Sequence, residues 1–425
     1  MNTIISENET AGLNREQIKE NAARSIGGRS LKKVLIVPPD ITRANSGAGL
    51  IASIYYELLD GAEVDILPAT GTHTPMTREE QIYFFGENIP ADRYLVHDWR
   101  GGVTKIGEIP AVFVREVSEG LMNEPIDVEV SNYLLDPSYD LILSIGQVVP
   151  HEVAGMANYT KNIVVGCGGS AFIGGSHILG AFYGVERTMG RENTPVRAVF
   201  DYAQQHFLSG FPIEYVLTVT VTEHEKPRII GLYTGKERDG FEKAVNLSRK
   251  HNINYVESPL DVCVVWLDGR EFHSTWLGNK AIYRTRMAMA DNGKLIVIAP
   301  GVKIFGEDSE NDRLIRKYGY TGRENILKLF KTEPDLRDNS AVAAHLIQGS
   351  ADGRFSVIYA AAQLSKEEIE SVGFKYMPFE EAVEKYNPKT LKQGYNEIPG
   401  GERIYFINNP AAGLWVRQTK PAPQG

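Results

Sequence analysis

An α/β fold of two domains, each with a largely parallel sheet and with the active site in the cleft between them, is the architecture this sequence predicts. Three observations predict it. A chain of 425 residues exceeds what one hydrophobic core usually serves, and roughly 150 to 200 residues per domain gives two. Short apolar runs of the buried-strand kind recur, and each leaves through a polar or glycine-rich loop into a helical stretch. That pattern starts afresh in the second half. The expected domains are 1–250, carrying cofactor and catalytic groups, and 251–400, with 401–425 returning to the first.

Composition narrows the function classes. Hydrophobic residues at 42% and charged residues at 23% are ordinary for a soluble globular protein. A formal charge of -9 with no compensating basic run argues against nucleic acid as a partner. Two cysteines, Cys167 and Cys263, do not make a disulfide framework, which fits a reducing compartment. No apolar leader and no run of about 18 apolar residues stands in the sequence, so the expectation is a cytoplasmic enzyme with no membrane partner.

In order along the chain, residues 15–25 read as a short helix and 33–37 (KVLIV) as a parallel-type strand, closed by Pro38 and Pro39 and followed by Asp40, Ile41, Thr42 and Arg43. Residues 47–59 read as a helix stopped by Gly61, and 64–67 (VDIL) as a strand leading into the loop PATGTHTP, which carries His73. Thr77 and Glu80 form a capping box for the next helix. Residues 140–145 (DLILSI) are a further buried strand, just before His151. Asp40 with Arg43, His73 and His151 therefore sit on three loops that leave strand ends. In one parallel sheet such loops share an edge and line a crevice.

The stretch 146–184, GQVVPHEVAGMANYTKNIVVGCGGSAFIGGSHILGAFYG, is the one the chain is organised around. It holds His151, Lys161, Cys167 and His177 among many glycines, and little of it reads as core. Residues 163–165 look strand-like, so the GCGG that follows is a weak candidate for a backbone phosphate cradle and equally a plain turn. Beyond it, 187–207 reads as a helix broken near Pro195, 215–221 and 228–233 as antiparallel strands, and 241–250 as a helix, with a boundary before Pro259. The second half gives strands at 262–267, 294–299, 355–359 and 404–407, a helix at 280–290 and a capping box at Ser365 and Glu368.

Several chemistries lack their motifs. There is no GxxxxGK[ST], no GxSxG and no HExxH. Two rival classes stay open: a binding protein with an α/β crevice, and a zinc hydrolase using His73, His151 and His177, since three histidines and a water make a catalytic zinc site. His97 and Asp98 read as a strand-end pair, and Cys167 as a small packed residue.

Asp40-x-Thr-Arg43, the GTHTPMT loop with His73, then His151, Lys161 and His177 in that order and at these spacings, resemble the nickel-pincer-nucleotide-dependent lactate racemase family. The resemblance runs from about residue 33 to 184 and more loosely through the second half. It implies a cofactor, the Ni(II) pyridinium-3,5-bisthiocarboxylic acid mononucleotide, tethered to Lys161, with His177 as the protein's nickel ligand and with Asp40, Ile41, Thr42 and Arg43 holding the mononucleotide or the substrate carboxylate. It implies His73 and His151 as the two acid–base groups of a racemase or epimerase working by hydride transfer on a 2-hydroxy acid. It also implies transient contact with the cofactor's biosynthetic enzymes, and a chain without cofactor in a host that lacks them. The lysine loop reads NYTKNI and the second-domain helix carries Tyr283, Arg284 and Arg286. Those departures, with the polar Asn158 and Tyr159, suit an aldonate-type sugar acid or another larger 2-hydroxy acid held by the three, with lactate itself as the alternative.

Overall fold

The computed structural model describes residues 3–223 and 226–418. The chain divides into two units, Met1–Tyr183 with Arg187–Asn252, and Gly184–Glu186 with Ile253–Gly425. In the first unit the elements run β1 (Ile4–Glu7), α1 (Arg15–Ile26), β2 (Lys33–Val37), α2 (Ala48–Leu58), β3 (Glu63–Ile66), α3 (Arg78–Phe85), β4 (Val103–Ile109), α4 (Ala111–Val117), β5 (Ile126–Ser131) and β6 (Leu141–Gln147). A two-residue hairpin, β7 (Pro150–His151) and β8 (Gly155–Met156), precedes α5 (Thr160–Val164), α6 (Ser170–Tyr183), α7 (Val185–Thr188, whose first two residues count with the second unit), α8 (Pro195–Phe207), β9 (Ile213–Glu223), β10 (Lys226–Gly235) and α9 (Arg238–Asn252).

Strand order in the main sheet is β1-β10-β9-β6-β2-β3. β3, β2, β6 and β9 are mutually parallel, while β10 and β1 add antiparallel strands at one edge. Val34, Leu35, Ile36 and Val37 of β2 have no exposed surface, as a strand covered on both faces requires. From β2 the chain goes first to β3 on one side and then to β6 on the other. The loops leaving β2 and β6 consequently part at this point, which is where parallel sheets open a crevice.

α2 buries Ile51, Ala52, Ile54 and Tyr55, and these join Ile36, Ile66, Phe84 and Phe85 in one core cluster. The approach of α3 to α2 is close: a Cβ on Gly49 would stand 1.9 Å from the Phe84 carbonyl oxygen.

The second unit has its own six-stranded sheet, ordered β15-β14-β13-β12-β17-β16, from β12 (Leu260–Trp266), β13 (Met289–Ala299), β14 (Ser356–Ala361), β15 (Lys375–Tyr376), β16 (Gly394–Glu397) and β17 (Arg403–Ile407). All neighbours are parallel except β16 and β17. β11 (Ile253–Val256) pairs in parallel with β18 (Leu414–Arg417).

Three expectations change and one break is borne out. The segment 401–425 does not return to the first unit: β17 and β18 belong to the second, where Arg417 N also bonds the Met287 carbonyl, and 419–425 lies outside the described residues. The helix read at 280–290 ends at Thr285, because Met289 already pairs with Leu260 in the sheet. The break read near Pro195 is present: helix stops after α7 and Thr194 accepts from Arg197 N as the cap of a fresh helix with Pro195 in its first turn. Residues 163–165 are not a strand: Ile163 and Val164 end α5 and Val165 caps it.

The packing of α2 on α3 yields a test. Gly49→Ala should lower the urea unfolding free energy by about 1–3 kcal/mol, because the obstacle is backbone and cannot rotate away; a melt indistinguishable from wild type would show that the two helices slide apart freely.

Candidate active site

Asp40 leaves β2 through two prolines and caps the 3-10 turn Ile41–Ser46. Its Oδ1 accepts from the Thr42 amide at 3.0 Å and from the Thr42 hydroxyl, and its Oδ2 stands 2.6 Å from His73 Nδ1. The loop after β3 is carried alongside by a bridge of Pro39 with Ala69, whose amide donates to the Pro38 carbonyl at 2.7 Å. That register brings His73 to Asp40. Burial acts to raise the Asp40 carboxyl, yet the bonds from His73 and Thr42 hold it below its usual range. A carboxylate facing Nδ1 places the imidazole proton there and leaves Nε2 with its lone pair.

His151 is arranged the other way. The hairpin of β7 and β8 turns its ring inward, and its Nδ1 accepts from the backbone amides of Val153 at 3.1 Å and Ala154 at 3.4 Å. The proton of the neutral ring is therefore on Nε2, a donor. Burial holds His151 neutral well below the ordinary histidine range.

Lys161 lies on α5, and Asn162 beside it fixes that short helix. Asn162 Nδ2 donates to the Val37 carbonyl and to Ser144 Oγ, both at 3.0 Å, joining the end of β2 to the middle of β6. Desolvation, then the charge of Arg43, brings the Lys161 ammonium down to about 8. The chain enters α5 through two left-handed residues, Asn158 at φ 63° and Tyr159 at φ 57°, ψ -132°. Asparagine tolerates a positive φ; a tyrosine there costs of order 1–3 kcal/mol, the kind of strain that gathers at functional sites. Asn158 in turn needs Gly146 on β6, where a Cβ would sit 1.8 Å from its Nδ2.

His177 is on α6. Its Nδ1 donates to the Ile173 carbonyl at 2.6 Å, and burial lowers it to about 4, so the ring is neutral with Nε2 unprotonated. Lys161 figures in the shifts of both His151 and His177, and Arg43 in those of His151 and Lys161. Arg43, His151, Lys161 and His177 are thus linked pairwise by electrostatics, and Asp40, which holds His73, acts on Lys161 as well.

Other expected residues fall elsewhere. Ile41 packs against the core cluster, and Thr42 is engaged by Asp40. The GCGG segment loses its phosphate-cradle reading, because the amides of Gly166, Cys167, Gly168 and Gly169 bond to the carbonyls of Lys161, Ile163, Val165 and Glu129. The turn is held further by buried His97, whose Nε2 is 3.1 Å from the Gly168 carbonyl, and Cys167 is fully buried, its thiol pushed up by burial. Much of 146–184 is core after all: Ile163, Val164, Phe172, Ile178 and Leu179 are buried.

In the second unit, Tyr283, Arg284 and Arg286 are interior residues. Arg286 bonds Glu186, the Ser350 carbonyl and Asp352, and Arg284 Nη1 bonds the Gly413 carbonyl. Those guanidinium groups knit that unit together. Sequence reasoning passed over Asn162 and Gly146, and it took Asn158 and Tyr159 for their polar side chains and not for the strained turn they make. Only Asn162 carried a signal, its adjacency to Lys161.

Residues 14–190 match the family model of the lactate racemase N-terminal domain. No curated protein matches the sequence. Among solved structures, a structural-genomics crystal structure of a Thermotoga maritima protein is similar at a TM-score of 0.80 and 25% identity, over 97% of this chain and 100% of that one. The lactate racemase apoprotein of Thermoanaerobacterium thermosaccharolyticum is similar at a TM-score of 0.69 and 18% identity, over 95% and 93%. That likeness concerns the fold.

Buried neutral histidines couple stability to pH. In the unfolded chain His151 takes a proton below about 6.5, while the folded protein resists it to well below that value. The unfolded state then binds more protons, so this contribution is complete above about 6.5 and is lost as pH falls. His151→Gln should flatten the decline in urea midpoint between pH 7.5 and 5.5; a slope equal to wild type would assign the acid sensitivity to other groups.

Proposed function

We propose, from the premise that residues 14–190 belong to the lactate racemase N-terminal domain family, that the chain is a racemase or epimerase inverting the C2 centre of a 2-hydroxy acid with a lysine-tethered nickel-pincer nucleotide. The observation that carries it is the pairing of a desolvated Lys161 amine with an unprotonated His177 Nε2 in one region.

The residues fit the group. An amine brought down to about 8 is a usable nucleophile near neutral pH, so Lys161 suits covalent attachment. A neutral imidazole whose other nitrogen is committed to a carbonyl suits Ni(II), and Ile173 gives His177 that arrangement. One protein nitrogen is sufficient when the remaining donors come from the group itself. A zinc hydrolase needs a protein ligand set instead, and among the described residues no three His, Cys, Asp or Glu side chains form one. Arg43, exposed at the loop and close enough to act on Lys161 electrostatically, suits a phosphate or carboxylate through its planar fork.

When bound, the group supplies a nickel ion and an electrophilic ring carbon that can accept the C2 hydrogen as hydride. The chain supplies the proton chemistry. His73, held by Asp40, offers Nε2 to the substrate hydroxyl as a base. His151 offers Nε2–H to the substrate oxygen as a donor, and acts as a base only by exchanging tautomer and releasing Val153 and Ala154. The two histidines begin a cycle in complementary states, which inversion of one centre from either side requires. With Arg284 and Arg286 engaged inside the second unit, the side chains that suited an aldonate no longer argue for it, and the substrate is read as a 2-hydroxy acid without a size class.

Production together with the cofactor's biosynthetic enzymes tests this. The Lys161 peptide should carry the mononucleotide mass with stoichiometric nickel, and Lys161→Ala should lose both. An unmodified Lys161 under those conditions would overturn the reading. His73→Ala should keep mass and nickel while racemisation of a panel running from lactate to aldonates falls by about 10²–10⁴.

Asp40→Asn separates orientation from binding. An amide no longer selects the Nδ1–H tautomer of His73, so kcat should fall at least about 10²-fold with KM little changed, as for other carboxylate-oriented histidines. Equal kcat in the variant would remove Asp40 from the proton path.

A further inference from the structure

We propose that Arg197 is a positioning residue for Lys161, clamping the 156–160 arc in a conformation its own residues disfavour and so fixing where α5 presents the lysine. The inference rests on the reading of Lys161 as the attachment point and adds what holds that point in place.

Arg197, on α8, is 1% exposed. Its Nη1 donates to Thr160 Oγ1 at 2.7 Å, and its Nη2 donates to the carbonyls of Met156 at 2.7 Å and Asn158 at 3.1 Å. One guanidinium thereby holds three of the five residues that precede Lys161. Thr160 passes the hold on, its hydroxyl donating to Asp201 Oδ1 at 2.9 Å, and Asp201 is paired with Arg238. The guanidinium lies 4.6 Å over the Phe241 ring and 5.5 Å from that of Phe200. Tyr159, the most strained residue of the arc, stacks on the same Phe241 at 5.2 Å and meets Tyr215 at 4.3 Å.

A buried cation bonded to two carbonyls and a hydroxyl is expensive to keep for its charge alone. Its planar fork, by contrast, reaches three acceptors in fixed directions, which lysine cannot reproduce. The arc needs such a hold. Tyr159 would relax toward negative φ if released, and α5, at five residues, has too few internal hydrogen bonds to keep its own direction. Relaxation of the arc would turn Lys161 out of its place.

The test uses the full-length unmodified protein. A brief pulse of limiting acetic anhydride is applied, and acetylation of Lys161 is compared with that of exposed Lys366 in the same digest. In wild type the two should differ severalfold; in folded Arg197→Lys and Arg197→Gln the ratio should move to parity, because Lys161 becomes an ordinary surface amine. Tyr159→Gly in the Arg197→Lys background should restore the ratio toward wild type, since glycine adopts the positive φ without a clamp. Support of a general structural kind would not be rescued that way. Where the Arg197 variants do not fold, Thr160→Val removes one acceptor of the clamp and should shift the ratio in the same direction. A wild-type ratio in Arg197→Lys or, failing that, in Thr160→Val overturns the proposal. Absence of the mononucleotide on wild-type Lys161 after production with the biosynthetic enzymes would defeat the attachment reading separately and leave the labelling comparison to decide the role of Arg197.

Discussion

The Asn162 amide joins the Val37 carbonyl to Ser144 Oγ, and through them the end of β2 to the middle of β6. At this point the sheet order reverses, so the loops leaving the two strands diverge and would otherwise leave unsatisfied polar groups at a gap. Filling the gap with a short helix satisfies those groups. It also puts the neighbouring side chain, Lys161, at the crevice. The loop after β3 is drawn to the same place by the bonds of Ala69 to Pro38 and of Gly71 to Gly166. Asp40, His73, His151 and Lys161, spread over more than a hundred residues of sequence, meet because three parallel strands end together.

The two proposed acid–base histidines show how little is needed to make one side chain do opposite work. A carboxylate on Nδ1 makes His73 an acceptor at Nε2, and two backbone amides on Nδ1 make His151 a donor there. His177 follows the logic of His73 with a carbonyl in place of the carboxylate, but burial keeps it neutral and unsuited to proton shuttling near pH 7. The assignments are set by second partners, which the ring's own position along the chain does not reveal.

That distinction explains what was legible in the sequence. β2 and β6 were readable because strands covered on both faces are continuous apolar runs, and the capping boxes at Thr77 and Ser365 because their partners are three residues apart. The bond from His73 to Asp40 joins residues 33 apart and has no local signature. α5 was misread because Ile163, Val164 and Val165 favour strands, and the contacts of Asn162 override that preference over one turn. Arg284 and Arg286 read in the sequence as substrate-binding arginines; the hydrogen-bond partners they have in the fold, Gly413, Ser350 and Asp352, lie 64 to 129 residues away. Only the assembled unit shows that they face inward.

Charge argues for what the crevice receives. The protein is acidic overall, at -9, yet the charges of Arg43 and Arg197 both act on Lys161, where burial already disfavours the ammonium. Like charges repel, and here they add to desolvation in lowering the proton affinity of the lysine. Asp40 is committed to His73 and Thr42, so its compensation is shared. An anion arriving there replaces lost hydration with charge-assisted hydrogen bonds, and acylation of Lys161 would remove one of the competing cations altogether. A phosphorylated group that is also an acyl donor to the lysine relieves the site on both counts, whereas a neutral ligand relieves neither. The same electrostatics that make the region costly in the unliganded chain are what the proposed anionic, lysine-linked group would relieve, and binding of that kind would also stabilise the fold around it.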